Sequence, residues 1–394
     1  MSWKSTTVEA AFEFVRNGKS VQQDKSGDGL PITRIETISN WRINPNRVGF
    51  AGIHEAGNEK WLLQKGDILF SHINSVDHIG KCAVYEGTPE KLIHGMNLLA
   101  MRPRAGVLDP KFAYYALSRN EFRKAQAQFV NKAVNQASIS STNLKSLQFP
   151  LPPFDEQRRI AAILDQADDL RRKRRAVIER LQKLDEALLN QFLGPTTERS
   201  SRWKHEPLGD FALVRSGAGF PIEDQGRSEG RFPFYKVSDM NLVGNEQWMI
   251  VANNYIEEDV RKRLRAEAFP AETIIFPKIG AAIATNKKRI LSTPACVDNN
   301  VMAVTAGEKV LPVFLYALFK KKDISEFAQP GNPPSMRKGD VEDWLIPIPP
   351  LSLQRNFAAR VAEIDKLKAH HHVHLAKLDV LFASLQHRAF RGEL

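Results

Sequence analysis

Apolar residues recur at alternating steps of four and three along two well-separated stretches of the chain. In the first, Ile163, Ala167, Leu170, Arg174, Val177, Leu181, Leu184 and Leu188 take these positions; in the second, Arg360, Ile364, Leu367, His371, His374, Leu378, Leu381 and Leu385 do. A period of about 3.5 sustained over this length predicts long helices whose apolar stripe meets another helix. Each stretch opens on a proline-rich junction, Phe149-Pro150-Leu151-Pro152-Pro153 in one case and Ile346-Pro347-Ile348-Pro349-Pro350 in the other. Proline lacks an amide donor and biases the residue before it toward extended backbone. Each junction therefore closes an extended segment, and the helix begins just beyond it. At 1.5 Å per residue, a helix of about 40 residues is about 60 Å long.

The two stretches are copies. A step of 197 residues carries Pro150 onto Pro347, Gln157-Arg158 onto Gln354-Arg355, Asp168 onto Asp365, and Leu181 onto Leu378. The segments before them repeat more loosely. Ile68-Leu69-Phe70-Ser71 answers to Ile274-Ile275-Phe276-Pro277, Asn97-Leu98-Leu99-Ala100-Met101 to Asn300-Val301-Met302-Ala303-Val304, and Tyr114-Tyr115 to Leu315-Tyr316. Short apolar runs between turn residues, such as Lys81–Tyr85 before Glu86-Gly87, read as strands, and Asp109-Pro110 reads as a helix start. Cores recur while connecting loops diverge, the pattern of one scaffold presenting two surfaces. The expected architecture is α+β, with domains over 1–149 and 196–346 and helical segments over 150–195 and 347–394.

Two copies of a lobe plus a helix can be related by a rotation that sets the helices antiparallel. With Ile163 facing Leu385, Ala167 faces Leu381, Leu170 faces Leu378, Arg174 faces His374, and Val177 faces His371. This register gathers the polar seam positions near the middle, where such residues fix alignment at a cost in stability.

The net charge of +11 points to a polyanionic partner. The two helical stretches hold little of it: 154–193 carries nine basic against eight acidic residues, and 350–394 seven against four. The excess lies in the lobes. Cys82 and Cys296 are the only cysteines, which argues against a disulfide framework and for a reducing compartment. No apolar run approaches the ~20 residues of a membrane span, and Met1-Ser2-Trp3-Lys4 begins no signal peptide, so a cytoplasmic protein is expected.

Chemistry is sparse. His370-His371-His372-Val373-His374 puts two imidazoles on one helix face, but two of the run fall on the seam and no carboxylate or thiol completes a metal site. Asn332-Pro333-Pro334-Ser335 is similar to the Asn-Pro-Pro-aromatic motif of amino-methyltransferases, yet serine stands where a stacking ring is needed. No Gly-x4-Gly-Lys-Ser/Thr loop is present. No catalytic residue and no metal ligand is assigned. What remains is a set of basic and amide side chains suited to phosphates and base edges. In the first lobe these are Lys19, Arg34, His72, Asn74, Lys132, Asn135, Gln136, Ser138 and Ser140. In the second they are Arg215, Lys236, Lys278, Lys287, Lys288, Arg289, Asn332, Arg337 and Lys338.

Two variable lobes, each followed by a proline-rich junction, a Gln-Arg pair and a long helix, resemble the specificity subunit of type I restriction–modification systems. The ending Gln386-His387-Arg388-Ala389-Phe390-Arg391-Gly392-Glu393-Leu394 is similar to that family's C-terminus. The resemblance implies two target-recognition domains joined by two antiparallel coiled-coil helices with pseudo-twofold symmetry. Each domain would read half of a bipartite site in double-stranded DNA; the helices would set the spacer and dock two methyltransferase subunits per chain. This chain would hold no cofactor. S-adenosylmethionine, ATP and Mg²⁺ would be used by the modification and restriction/translocase subunits. The alternatives are a coiled-coil scaffold whose lobes bind no DNA, or a self-contained DNA methyltransferase, which would need cofactor motifs that the sequence lacks.

Overall fold

A computed structural model describes residues 3–24, 27–133, 136–194 and 203–394. The chain divides into two compact units, Met1–Arg175 with Val373–Leu394, and Ala176–His372. The fold is α+β, and the plan of each unit is the repeat expected from the sequence.

Unit 1 is built on a four-stranded antiparallel sheet ordered Phe12–Asn17, Leu98–Pro103, Ile68–Ser71, Cys82–Val84. Ile68–Ser71 is central and apolar on both faces, and all four of its residues are buried. Helix Pro110–Ser118 covers one face through Phe112, Tyr115 and Ala116. Its start is the one the sequence encodes: the Asp109 carboxylate accepts from the amides of Lys111 and Phe112 at 3.0 and 2.9 Å, with Pro110 in the first turn. The two closest chain approaches demand glycine. A Cβ on Gly18 would lie 2.0 Å from the Gly95 carbonyl oxygen, and in unit 2 one on Gly217 would lie 2.1 Å from that of Val297.

Unit 2 repeats the plan with a longer sheet, ordered Ala212–Ser216, Val301–Ala306, Ile274–Pro277, Arg289–Leu291, Trp248–Met249. Helix Pro312–Lys321 buries Phe314, Leu315 and Phe319 on it. In each unit the segment entering the domain pairs with the junction that leaves it: Ser5 with Pro150, and His205 with Pro347.

The repeated glutamine explains why the junctions look alike. Gln157 is buried; its Oε1 accepts from the Asp109 amide, and its Nε2 donates to the carbonyls of Val107 and Pro152, all at 2.9 Å. Gln354 does the same in unit 2, accepting from Leu311 at 2.8 Å and donating to Lys309 and Pro349 at 3.0 and 2.8 Å. One amide thus ties three chain segments: the loop before the domain's helix, the proline junction, and the first turn of the long helix.

The long helices span Phe154–Leu193 and Leu351–Ala389. Within unit 1, Arg159 reaches the Leu394 carbonyl while Arg171 meets Asp379 and lies over the Phe382 ring, 4.2 Å from its centroid. Within unit 2, Asp185 meets Lys368 at 2.5 Å, and Phe192 packs on Phe357. Rising numbers meet falling ones in both, so the pairing is antiparallel. The contacts are offset from the expected register, by one residue at Phe192–Phe357, two at Arg171–Asp379 and five at Asp185–Lys368. Ile163 facing Leu385 would have set Arg171 against Lys377 and Asp185 against Glu363, two like-charge contacts. The observed alignment replaces them with an Arg–Asp and an Asp–Lys pair. Arg174, expected opposite His374, lies between Arg171 and Arg175, both of which bind Asp379.

Part of the expected seam also moves. Ala167, Leu188 and Ile364 are buried and Ile163, Leu181, Leu378 and Leu385 are partly buried, but Leu170, Leu184, Leu367 and Leu381 are about half exposed. Their places are taken one residue on, by Arg171, Asp185, Lys368 and Phe382; Leu164 and Ile178 are likewise buried beside Ile163 and Val177. The cause is that each helix serves two neighbours. Ile160 and Leu164 belong to the core of the unit 1 domain, with Phe112 and Phe390, and this rotates the helix away from the phase that leucine counting suggests. The 197-residue step takes Arg171 to Lys368 and Asp185 to Phe382, so the Arg171–Phe382 and Lys368–Asp185 contacts occupy equivalent places with different chemistry.

Candidate nucleic-acid interface

Four of the candidates in the first lobe come together. Asn131–Ala133 and Gln136–Ser138 pair as an antiparallel hairpin, with Gln136 opposite Ala133 and Ala137 opposite Lys132. The second strand also pairs with Ile73–Asn74, setting Asn74 beside Ala137. Ala137 is buried and anchors the hairpin, while Lys132 and Gln136 are exposed and Ser138 is half-buried. Along the second strand the pleat makes this division, setting Gln136 and Ser138 on the face opposite Ala137, while all three residues of the first strand, at the sheet edge, are exposed. Asn135 lies outside the described residues.

Unit 2 places a hairpin at the corresponding point, Ala328–Gln329 with Ser335–Met336, and its connection carries Asn332 with a cis peptide to Pro333. The attachments match. The Ile139 amide donates to the His72 carbonyl at 3.0 Å, and the Met336 amide donates to the Lys278 carbonyl at 2.9 Å. Residues 139 and 336 are one repeat apart, which makes His72 and Lys278 equivalent. Both follow the central strand of their sheet.

Their side chains differ. The His72 ring is buried, and burial pushes its pKa down to about 4, leaving a neutral imidazole. Lys278 is half-buried, donates to Ser216 Oγ at 2.8 Å, and has its pKa lowered by burial. Asn332, Arg337 and Lys338 are exposed along the second hairpin and the short helix after it, where Lys338 pairs with Glu342.

The remaining candidates are scattered or engaged. Lys19 donates to Asn58 Oδ1 at 2.8 Å, Arg34 pairs with Glu36, Arg215 with Glu267, and Lys236 with Gln225. The two ion pairs are largely open to solvent, worth about 0–1 kcal/mol each, and yield readily to a ligand. Lys287 binds Asn241 on the surface. Ser140, in contrast, is a cap: its hydroxyl accepts from the Asn143 amide at the start of Ser141–Ser146. The expectation that Lys288 and Arg289 form an open basic turn gives way to a different arrangement. Lys288 is buried, donates to Asn286 Oδ1 and the Lys322 carbonyl at 2.7 Å each, and burial lowers its pKa to about 8. Arg289 donates to the carbonyls of Lys288 and Met240. Three basic residues in a row look exposed in sequence; the left-handed Asn286 before them turns two inward. Gln157 and Gln354 are the residues whose role sequence reasoning missed, although their repetition at a fixed offset was the signal.

A family model described as the type I restriction modification DNA specificity domain matches residues 2–180 and again 200–378. The chain belongs to that family. It is 32% identical over 93% of its length to a putative type I restriction enzyme MjaX specificity subunit of Methanocaldococcus jannaschii, covering 87% of that protein. Over 52% of its length it is 27% identical to the type I restriction enzyme EcoKI specificity subunit of Escherichia coli, covering 45% of that relative. The fold is shared with the crystal structure of a type I restriction–modification system S subunit from M. genitalium, at a TM-score of 0.58 and 17% identity, over 98% of this chain and 96% of that one. Membership of the specificity family, with its domain present twice, accounts for the two units built alike. Among the described residues, no helix is long and apolar enough to cross a membrane.

Proposed function

We propose that this chain is the non-catalytic DNA-recognition subunit of a type I restriction–modification complex, and that each domain reads one half of a bipartite site. The observation that carries the reading is the pair of hairpins hung from equivalent carbonyls but bearing different polar side chains, Lys132 and Gln136 in one and Asn332 with Arg337 beyond the other. Lysine and arginine suit phosphates and guanine, and the amides suit adenine. The long helices set the spacer and dock methyltransferase subunits, two per chain. Methylation with S-adenosylmethionine, and translocation with ATP and Mg²⁺, belong to those partners and to a restriction subunit.

The test is to map methylated adenines in a host carrying the complete system, with residues 131–138 replaced by the hairpin of a different specificity subunit. One half-site should change while the other half and the spacer stay as they were. An unaltered bipartite site would refute the assignment of reading to this hairpin.

A further inference from the structure

Unit 1 contains a cavity of about 390 Å³ on the flank of the first long helix that nothing in the DNA-reading scheme uses. Its walls are aromatic: Trp41 from the loop after the first strands, Tyr114 from the domain's helix, and Phe382. Four arginines, Arg42, Arg171, Arg172 and Arg175, converge on it beside one acid, Asp168, and neutral polar residues complete the lining.

These four guanidinium groups, with five N–H donors each, share three carboxylates. Arg171 binds Asp168 at 3.0 Å and Asp379 at 2.6 Å, and Arg175 binds Asp379 at 3.0 Å. Arg42 reaches Asp168 and Asp169 only at 3.5 and 4.0 Å, and Arg172 leans on the same two. The Arg172 Nε is buried and makes no hydrogen bond, with Asp168 Oδ2 3.6 Å away. A fifth guanidinium, Arg123, lies over the Trp41 ring at 5.3 Å. The site therefore has more positive charge and more donors than its own acids satisfy. Trp41 itself holds φ at +61°, in the left-handed region that non-glycine residues seldom adopt.

The second repeat serves as an internal control. One repeat on from Arg171, Arg172 and Arg175 stand Lys368, Ala369 and His372. The cavity of unit 2 that contains Tyr316, the counterpart of Tyr115, is about 290 Å³ and is lined by Val313, Phe357 and Val361 with the acids Asp185, Glu272 and Asp365 and a single cation, Lys320. The repeated scaffold thus forms without guanidinium groups at the places of Arg172 and Arg175, whereas Arg171 keeps a cationic counterpart, Lys368, in the helix pairing.

We infer that this unit 1 cavity is a binding site for a phosphorylated ligand, in which Arg42, Arg172 and Arg175 take the phosphates and Trp41 with Phe382 bracket an adjoining ring. Planar guanidinium forks suit phosphate oxygens in paired bonds, and aromatic walls suit a base. The phosphates could come from a free nucleotide or from a nucleic-acid backbone. The inference does not depend on the hairpins reading DNA.

Calorimetric titration of the full chain with pyrophosphate tests it, at constant ionic strength. Saturable binding with a midpoint below about 1 mM is expected. Arg172→Ala/Arg175→Ala should weaken it at least tenfold, while His372→Ala at the equivalent place leaves it unchanged. Where the double variant loses its circular dichroism spectrum, Arg42→Gln on the loop is the variant to use, with the same weakening expected. ATP binding more tightly than pyrophosphate, without competition from a duplex, would support a nucleotide. Displacement of pyrophosphate by duplex DNA would support a backbone phosphate. No saturable binding to the folded wild type, equal binding to the folded arginine variants, or binding of polyglutamate without pyrophosphate would overturn the proposal.

Discussion

Replacing Gln157 with leucine removes a buried amide of similar size and leaves three main-chain groups without partners. The Asp109 N–H and the carbonyls of Val107 and Pro152 each lose a 2.9 Å bond, and Gln157 itself is about 1% exposed. A buried unsatisfied polar group costs about 1–3 kcal/mol, and partial access of water to Val107 and Asp109 tempers the sum, so the loss should be about 2–4 kcal/mol. Gln157→Glu should be at least as harmful at neutral pH, since a carboxylate keeps the bond from Asp109 but turns an acceptor toward two carbonyls. The variants are to be compared with wild type by urea denaturation followed by circular dichroism, and by hydrogen exchange at the Asp109 amide. Exchange there should quicken well before global unfolding. A Gln157→Leu stability within about 0.5 kcal/mol of wild type, with Asp109 still protected, would show that the amide is not the tie described.

Asp185→Ala should cost about 1–3 kcal/mol in urea unfolding, because it removes the carboxylate that Lys368 and Lys320 share in a partly buried site and leaves Lys368 with Asp365 alone; a change below about 0.5 kcal/mol would mean that Asp365 suffices. Gly217→Ala should fail to give a native spectrum, since its Cβ would overlap the carbonyls of Val297 and Asp298. Lys132→Ala should weaken duplex binding for all sequences and lower the salt slope by about one if it meets a phosphate, as checked by titrations at several salt concentrations. For His72, the folded pKa of about 4 lies below the ordinary 6.5, so the unfolded chain binds the extra proton. Stability should therefore fall as pH drops from 6.5 toward 4, and His72→Gln should flatten that part of the stability–pH curve.

The architecture was legible because it is written in repetition. Pro150 and Pro347, Gln157 and Gln354, and the sustained heptads mark the junctions and helices without reference to tertiary contacts. The seam was half legible. Leucines at 170, 184, 367 and 381 fit the period, but the phase of a helix that also packs on a domain is set by Ile160 and Leu164, and its alignment by Asp185 meeting Lys368. The first is packing on a domain helix about 50 positions earlier and the second a pairing of residues 183 positions apart, neither of which a local pattern states. In the interface, Lys132 and Gln136 emerged where a polar stretch became an edge hairpin, whereas Lys288 turned inward because of the backbone conformation of Asn286. The arginine-lined cavity was invisible for a similar reason: its parts come from residues 40–42, 114–118, 168–175 and 382–386.

The hairpins are suspended by main-chain bonds, from Ile139 to His72 in one unit and from Met336 to Lys278 in the other. A bond between an amide and a carbonyl is indifferent to which side chains flank it. Such a mount lets the presented residues turn over wholesale, one surface loop at a time, without loosening the frame beneath. Recognition can then drift like an interchangeable cassette while the rest of the chain stays under the separate demands of packing.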